Sequence, residues 1–164
     1  MKTLVIALKT IIYATLFLLF FAYLALHVRV FDVRLPVQFP SGAGILGAVF
    51  MVAGGILGFL CVATFVIRGE GTPALFDAPK KFVATGPYRY CRNPMYVGGL
   101  ALLAGLGLYE RSVSILMMAV VLFGVVNLLV MLHEEPRLRR NFGDSYTQYC
   151  REVHRWLPTR RTPQ

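Results

Sequence analysis

Long apolar stretches are the feature that most constrains what this chain can fold into. Residues 4–26 contain a single charged side chain, Lys9, and residues 43–67 contain none. A helix needs about 20 apolar residues to cross roughly 30 Å of hydrocarbon, so each stretch predicts a membrane-spanning helix. Only 15% of the residues are charged, against roughly 25% in soluble domains. The sequence therefore predicts one membrane domain over residues 1–164 and excludes a soluble or disordered chain.

Two further apolar stretches, residues 95–109 and 114–132, lie close together in the second half of the chain. The first is about 22 Å long as a helix, which is short for a span. The brief connection between them predicts a tight helical hairpin. Small residues at Gly54-x-x-x-Gly58 and Ala101-x-x-x-Gly105 predict close approach between helices. We therefore expect an all-α membrane protein with about four transmembrane helices.

Basic residues are distributed unevenly between the two sides of the membrane that four spans define. Fourteen Lys and Arg lie with the N-terminus, loop 68–94 and the tail 133–164, whereas three lie in the other connections. Because positively charged segments stay in the cytoplasm, both termini and this loop are predicted to be cytoplasmic. We expect an integral, multi-pass protein of a bacterial inner membrane. The asymmetry accounts for the net charge of +9, so no nucleic-acid partner is expected.

The cytoplasmic loop 68–94 does not have the composition of a flexible linker. Its glycines and prolines exclude one regular helix, and aromatic side chains alternate with basic ones. Either the segment folds back onto the helix ends, or it forms an aromatic belt with Lys and Arg directed at the lipid headgroups.

Two adjacent carboxylates, Glu134 and Glu135, follow directly after the last apolar stretch. Ionisable groups at this depth usually face a polar cavity or a partner. The alternative is a solvated helix end, with Glu134 and Glu135 paired to the arginines that follow. His133 has no second histidine four residues later, so no metal site is predicted.

The C-terminal region predicts one more helix. After Phe142 and Gly143, four apolar or aromatic residues recur at helical spacing: Tyr146, Tyr149, Val153 and Trp156. Such a pattern is typical of an amphipathic helix. We expect it to lie in the membrane interface and to cover the cytoplasmic ends of the spans.

Two motifs flank the predicted hairpin: GPYRYCRNPMYVGG over residues 86–99 and HEEPRLRRNFGDSYTQYCREVHRWLP over residues 133–158. Their order resembles the isoprenylcysteine carboxyl methyltransferase and phospholipid methyltransferase superfamily of integral membrane enzymes. That superfamily carries a Gly-x-Tyr, an Arg-His-Pro-x-Tyr block, a Glu-Glu pair, a Phe-Gly and a Tyr-x-x-Tyr…Arg-x-x-Pro ending. The resemblance covers more than half of the chain.

The resemblance implies an S-adenosylmethionine-dependent methyltransferase that acts on a lipid-like or prenylated acceptor in the membrane. It implies catalytic roles for Arg92, Asn93 and Glu134. The cofactor-binding residues that it implies lie in the loop, at the start of the next helix and in the carboxylate pair: Lys80, Lys81, Phe82, Val83, Tyr88, Asn93, Pro94, Met95, Tyr96 and Glu135. These residue types suit the cofactor, which needs an aromatic slot, a carboxylate for its ribose hydroxyls and donors for its own carboxylate.

Two departures from the family pattern concern the substrate. Asn93 stands where the family has histidine, which removes a titratable group but keeps a donor and an acceptor. No arginine occurs over residues 127–132, where the prenylcysteine enzymes carry one, and this argues against a prenylcysteine carboxylate. Two other functions stay open: an NADPH-dependent sterol-type membrane reductase, and a non-catalytic membrane assembly protein.

Overall fold

The structure is a computed structural model that describes residues 2–34, 37–68 and 84–159, and these residues form an all-helical chain. The predicted all-α class is confirmed for them. The described helices are α1 (Lys2–Val28), α2 (Ala43–Arg68), α3 (Pro94–Tyr109), α4 (Val113–Leu129) and α5 (Glu135–Glu152). Shorter turns connect them: 3-10 turns at Arg29–Arg34 and Gly86–Arg89, and a π-helical turn at Val130–Glu134.

Two of the described helices are long and apolar enough, by length and composition, to cross a membrane. They are Ala43–Thr64 within α2 and the continuous helix Val113–Glu152. The predicted short segment 95–109 forms α3, which is apolar and has 16 residues. The predicted span 4–26 lies inside α1.

Glycines bring α2 and α3 into backbone contact. A Cβ atom added to Gly47 would lie 2.5 Å from the carbonyl oxygen of Gly105, and one added to Gly98 would lie 2.9 Å from that of Gly54. Both distances are too short for any side chain, so these four positions require glycine. The predicted close approach at Gly54 and Gly105 is confirmed. Gly58 also takes part, because its amide nitrogen would lie 3.2 Å from a Cβ at Gly98.

The start of α4 is fastened to α1 and α3. Ser112 is the N-cap residue, and its hydroxyl accepts a hydrogen bond from the amide of Ile115. Asp32 accepts a hydrogen bond from the amide of Ser114 at 2.9 Å, so two amides that the helix leaves unpaired are satisfied. A core cluster then joins the three helices through Ala25, Leu103, Ile115 and Ala119.

The helix that contains the fourth predicted span is longer than the span itself. The sequence places a boundary after residue 132, but the helix continues through the π-helical turn Val130–Glu134 into α5. The predicted break does occur at Gly143, whose backbone (φ 52°, ψ −124°) is not helical. Only glycine adopts this conformation readily, which explains why the chain changes direction there.

The predicted amphipathic helix is confirmed for Tyr146 and Tyr149, and Val153 is buried with them just past the helix end. Tyr146, Tyr149 and Val153 are buried together against Ala84, Leu138, Phe142 and Cys150. Val153 and Trp156 lie beyond the end of α5, so their helical assignment was wrong. Trp156 lies in the segment that follows. Its ring packs against Phe123 in α4, with centroids 5.2 Å apart, because Val153 is extended and ends the helix.

Candidate functional site

The site begins where the chain enters α3. Gly86 has a positive φ of 60°, and a Cβ there would lie 2.7 Å from the Thr64 hydroxyl at the end of α2. Pro94 then occupies the first turn of α3, where its missing N–H would be unpaired in any residue. These two features hold Arg92 and Asn93 between the ends of α2 and α3.

Residues 153–159, which we call the return segment, run back along the entrance to α3. The amide of Arg92 donates to the carbonyl oxygen of His154 at 2.9 Å, and the amide of Thr159 donates to that of Tyr90 at 2.8 Å. The Asn93 side-chain amide donates to the carbonyl oxygen of residue 155 at 3.2 Å. The return segment therefore brings its own side chains to the start of α3.

The centre of the site is a cluster of two arginines around one carboxylate. Arg155 donates to both oxygens of Glu135, through Nε at 2.7 Å and Nη2 at 2.9 Å. Arg92 donates from Nη1 to Oε1 of Glu135 at 3.0 Å and to Sγ of Cys150 at 2.9 Å. The side chains of Glu135 and Arg92 are only 10% and 14% exposed. Such a forked, charge-assisted arrangement fixes all three side chains in place.

The cluster carries one net positive charge, since two guanidinium groups share one carboxylate. The hydrogen bonds to Glu135 raise the pKa of Arg155, although partial burial opposes them. Arg92 Nε is buried and has no hydrogen-bond partner. Glu135 accepts three hydrogen bonds and retains one of the roughly four lone pairs of a carboxylate. The cluster therefore has both an unused donor and an unused acceptor.

A second carboxylate lies beside the cluster. The hydroxyl of Tyr96, in the first turns of α3, donates a hydrogen bond to Glu134. Glu134 ends the π-helical turn, and Glu135 begins α5. The extra residue in a π-helical turn shifts the helix face, and such turns are frequent at functional sites. It lets two successive carboxylates both engage groups at the start of α3.

Tyr88 lies on the other side of the entrance to α3. Its carbonyl oxygen accepts a hydrogen bond from the hydroxyl of Tyr149, which ties the Gly86–Arg89 turn to α5. Burial raises the pKa of the Tyr88 hydroxyl, and the neighbouring thiol of Cys61 acts in the same direction. The Tyr88 hydroxyl therefore stays neutral. It lies next to α2, which contains Cys61.

The structure brings most of the predicted site residues together. Around one point lie Arg92, Asn93, Tyr96, Glu134 and Glu135. The first turn of α3 also contains Pro94, which is fully buried, and Met95, which is half-buried. Tyr88 is in the adjacent turn, with its hydroxyl beside Cys61. The predicted strip Lys80, Lys81, Phe82 and Val83 lies outside the described residues.

Sequence reasoning missed two participants, Arg155 and Cys150. Arg155 belongs to the C-terminal motif, but nothing in the sequence pairs it with a carboxylate twenty residues earlier. Asn127, the one polar residue near the end of α4, could have signalled a further contact. Its side-chain oxygen accepts a hydrogen bond from Trp156 Nε1 at 3.0 Å, which anchors the return segment.

Comparison with known proteins agrees with the sequence motifs. The family model described as phospholipid methyltransferase matches residues 42–145. A curated relative, the nickel-cobalt-cadmium resistance protein NccN of Alcaligenes xylosoxydans xylosoxydans, is 31% identical over 88 residues. The match spans 52% of this chain and 41% of that protein, so it covers less than half of the relative's length. No solved structure matches.

Proposed function

The chain belongs to the phospholipid methyltransferase family, and on that premise we propose that it transfers a methyl group from S-adenosylmethionine to a lipid-like acceptor in the membrane. The family and the apolar helices make it a membrane protein.

One observation carries the proposal: a buried, charged site lies at the ends of apolar helices. The Arg92–Glu135–Arg155 cluster and the Tyr96–Glu134 pair meet where α3 begins and where the α4 helix leaves its apolar stretch. Burying charged groups costs several kcal/mol unless they are paired or bind a ligand. A solvated helix end would not require this arrangement of partners.

The residues fit S-adenosylmethionine by their chemistry. The cofactor's carboxylate suits a cluster with one net positive charge, to which the buried Arg92 Nε offers an unused donor. The remaining acceptor capacity of Glu135 suits a ribose hydroxyl. The Tyr96 and Tyr88 rings provide aromatic faces, and Asn93, Pro94 and Met95 provide the start of α3. The cofactor supplies an activated methyl group on a sulfonium.

The chain's own residues then have three tasks. Arg92, Asn93 and Glu134 align the acceptor with the methyl group, because transfer needs nucleophile, carbon and sulfur in line. Glu134, held by the Tyr96 hydroxyl, places a negative charge next to the cofactor's positive sulfur. The return segment excludes water from one side of the site. We propose that the cofactor enters from the cytoplasm and the acceptor from the bilayer.

The acceptor is proposed to be lipid-like because apolar helices enclose the site. Residues 127–132 contain no arginine that could hold a prenylcysteine carboxylate. The family description names phospholipid methylation, whereas the name of the relative concerns resistance to nickel, cobalt and cadmium. We extend only the methyl-transfer chemistry to this chain.

Isothermal titration of the detergent-purified full chain with S-adenosylmethionine and, separately, with NADPH tests the proposal. We expect binding of the first and none of the second. Radiolabelled methyl groups should then appear in the organic extract of membranes that contain the protein. Binding of NADPH alone would indicate a reductase, and binding of neither would indicate a non-catalytic protein.

A further inference from the structure

A cavity lies at the end of the helices opposite to the Arg92–Glu135–Arg155 cluster. It has a volume of about 190 Å³ and lies between α1, α3 and α4, lined by Ala22, Ala25, Leu26, Arg29, Leu106, Glu110 and Ile115. The length of α3 separates this cavity from the methyl-transfer site by about 24 Å.

The cavity has an apolar wall and a charged rim. Small and aliphatic side chains form the wall, and Ala25 and Ile115 there are each 1% exposed. At the rim, Arg29 Nη1 and Glu110 Oε2 form an ion pair of 2.8 Å. Their side chains are 42% and 32% exposed, so both retain hydrogen-bonding capacity toward the outside. An apolar slot below a pair of opposite charges is complementary to a phospholipid, which has apolar acyl chains and a charged headgroup.

The rim is held in position by independent contacts. Asp32, one turn after Arg29, is bonded to the amide of Ser114 at the start of α4. Glu110 itself continues the helical hydrogen bonding of α3, since its amide donates to the carbonyl oxygen of Leu106 at 2.9 Å. The backbone that carries both charges is therefore held in place over the cavity before any ligand arrives, which lowers the entropy cost of binding.

We propose that this cavity binds a zwitterionic phospholipid of the phosphatidylethanolamine type, with its phosphate at Arg29, its ammonium at Glu110 and part of an acyl chain against Ala22, Ala25 and Leu106. The inference does not depend on methyl transfer, because it concerns the other end of the helices.

The charges of the rim select this class of lipid. Arg29 lies close to two carboxylates, its partner Glu110 and Asp32 one turn along, so an anionic headgroup gains Arg29 but is repelled by both carboxylates. A zwitterion satisfies both partners at once. For half-exposed charges we expect a modest preference, about three- to tenfold over an anionic lipid with the same acyl chains.

Thermal unfolding of the delipidated full chain in detergent, titrated with phosphatidylethanolamine or phosphatidylglycerol of identical acyl chains, measures this preference. Native mass spectrometry counts the bound lipids. Ala22→Phe fills the cavity and should abolish the selective shift. The matched control Val120→Phe, at a position of α4 that is 72% exposed, should retain it.

A charge variant distinguishes a change in lipid preference from a folding defect. Glu110→Gln removes the partner of the lipid ammonium and one of the two carboxylates that repel an anion, so the preference should shift toward phosphatidylglycerol, which a merely unstable variant would not produce. Equal shifts by both lipids, or by detergent alone, would overturn the proposal. A preference that persists in both Ala22→Phe and Glu110→Gln would also overturn it, because it would belong to the acceptor site.

Discussion

Glu135 neutralises one of the two positive charges of the arginine cluster. It is buried and paired with two arginines, whereas Glu152 is exposed. Substitution by Gln leaves Arg92 and Arg155 without their shared counter-charge. We expect Glu135→Gln to weaken S-adenosylmethionine binding by about ten- to a hundredfold, the loss of a charge-assisted hydrogen bond. It should also lower stability, since breaking a buried ion pair costs about 3–5 kcal/mol.

Calorimetry and thermal unfolding measure these two effects, with Glu152→Gln as the matched control. Glu152 is exposed and accepts a hydrogen bond from Gln148, so its substitution should change little. Similar small effects of both variants would show that Glu135 is an ordinary solvated helix end.

Two tyrosines near the start of α3 offer a second comparison. Tyr96 is half-buried and bonded to Glu134, whereas Tyr90 is 50% exposed. We expect Tyr96→Ala to weaken binding of S-adenosylmethionine and of its demethylated product to a similar extent, by about 1–3 kcal/mol, because the ring contacts parts common to both. Tyr90→Ala should bind both normally. Wild-type affinity in a folded Tyr96→Ala variant would remove this residue from the cofactor site.

At the scale of elements, the 3-10 turn after α1 acts as a cap for α4. Partial burial opposes ionisation of Asp32, but hydrogen bonds from Ser112 and Ser114 outweigh it and lower the pKa of Asp32. A lowered carboxyl pKa in the folded state stabilises the fold above about pH 4, and this contribution is lost as the pH falls below it.

Replacing Asp32 by Ala should therefore cost about 0.5–2 kcal/mol at neutral pH, the usual effect of losing a cap. The difference from wild type should shrink between neutral pH and pH 3, because the contribution of the carboxylate is progressively lost below about pH 4. Thermal unfolding in detergent at both pH values checks this. A difference that is independent of pH would mean that the charge of Asp32 is not involved.

The contact between α2 and α3 depends on missing side chains. A Cβ on Gly98 would lie 2.9 Å from the backbone of Gly54, while one on Gly124 meets no atom within 4 Å. We expect Gly98→Ala to destabilise the protein by about 1–3 kcal/mol through overpacking. Gly124→Ala should be neutral or slightly stabilising, because alanine favours a helix. Equal unfolding temperatures for the two variants would contradict the tight contact.

At the scale of the whole molecule, the sequence predicted what depends on local pattern. Apolar runs located the helices of residues 4–26, 43–67 and 95–109, and the motif order identified the family. The exit from α4 was not predictable, because a π-helical turn has no hydrophobic signature and Val130–Glu134 lets the helix continue past the apolar residues. The pairing of Arg155 with Glu135 was equally hidden, since it arises only when the chain turns at Gly143 and again after α5.

The orientation of the molecule in the membrane determines on which side each end of α3 lies. The site of the arginine cluster and the Arg29–Glu110 rim lie at opposite ends of α3, and the predicted four-span topology assigns fourteen of the seventeen basic residues to the side of the first end. We therefore expect the exposed residue Ser145, in α5, to be cytoplasmic, and Val33, which is 89% exposed after α1, to face the opposite side.

Cysteines introduced one at a time at these two positions can be labelled in spheroplasts with a membrane-impermeant maleimide. The wild-type chain gives the background labelling of the native thiols. Val33→Cys should react with intact spheroplasts, because positively charged segments are retained in the cytoplasm and leave residue 33 outside. Ser145→Cys should react only after permeabilisation. The reverse pattern would place the arginine cluster outside the cell, away from cytoplasmic S-adenosylmethionine, and both the topology and the proposed methyl transfer would then have to be abandoned.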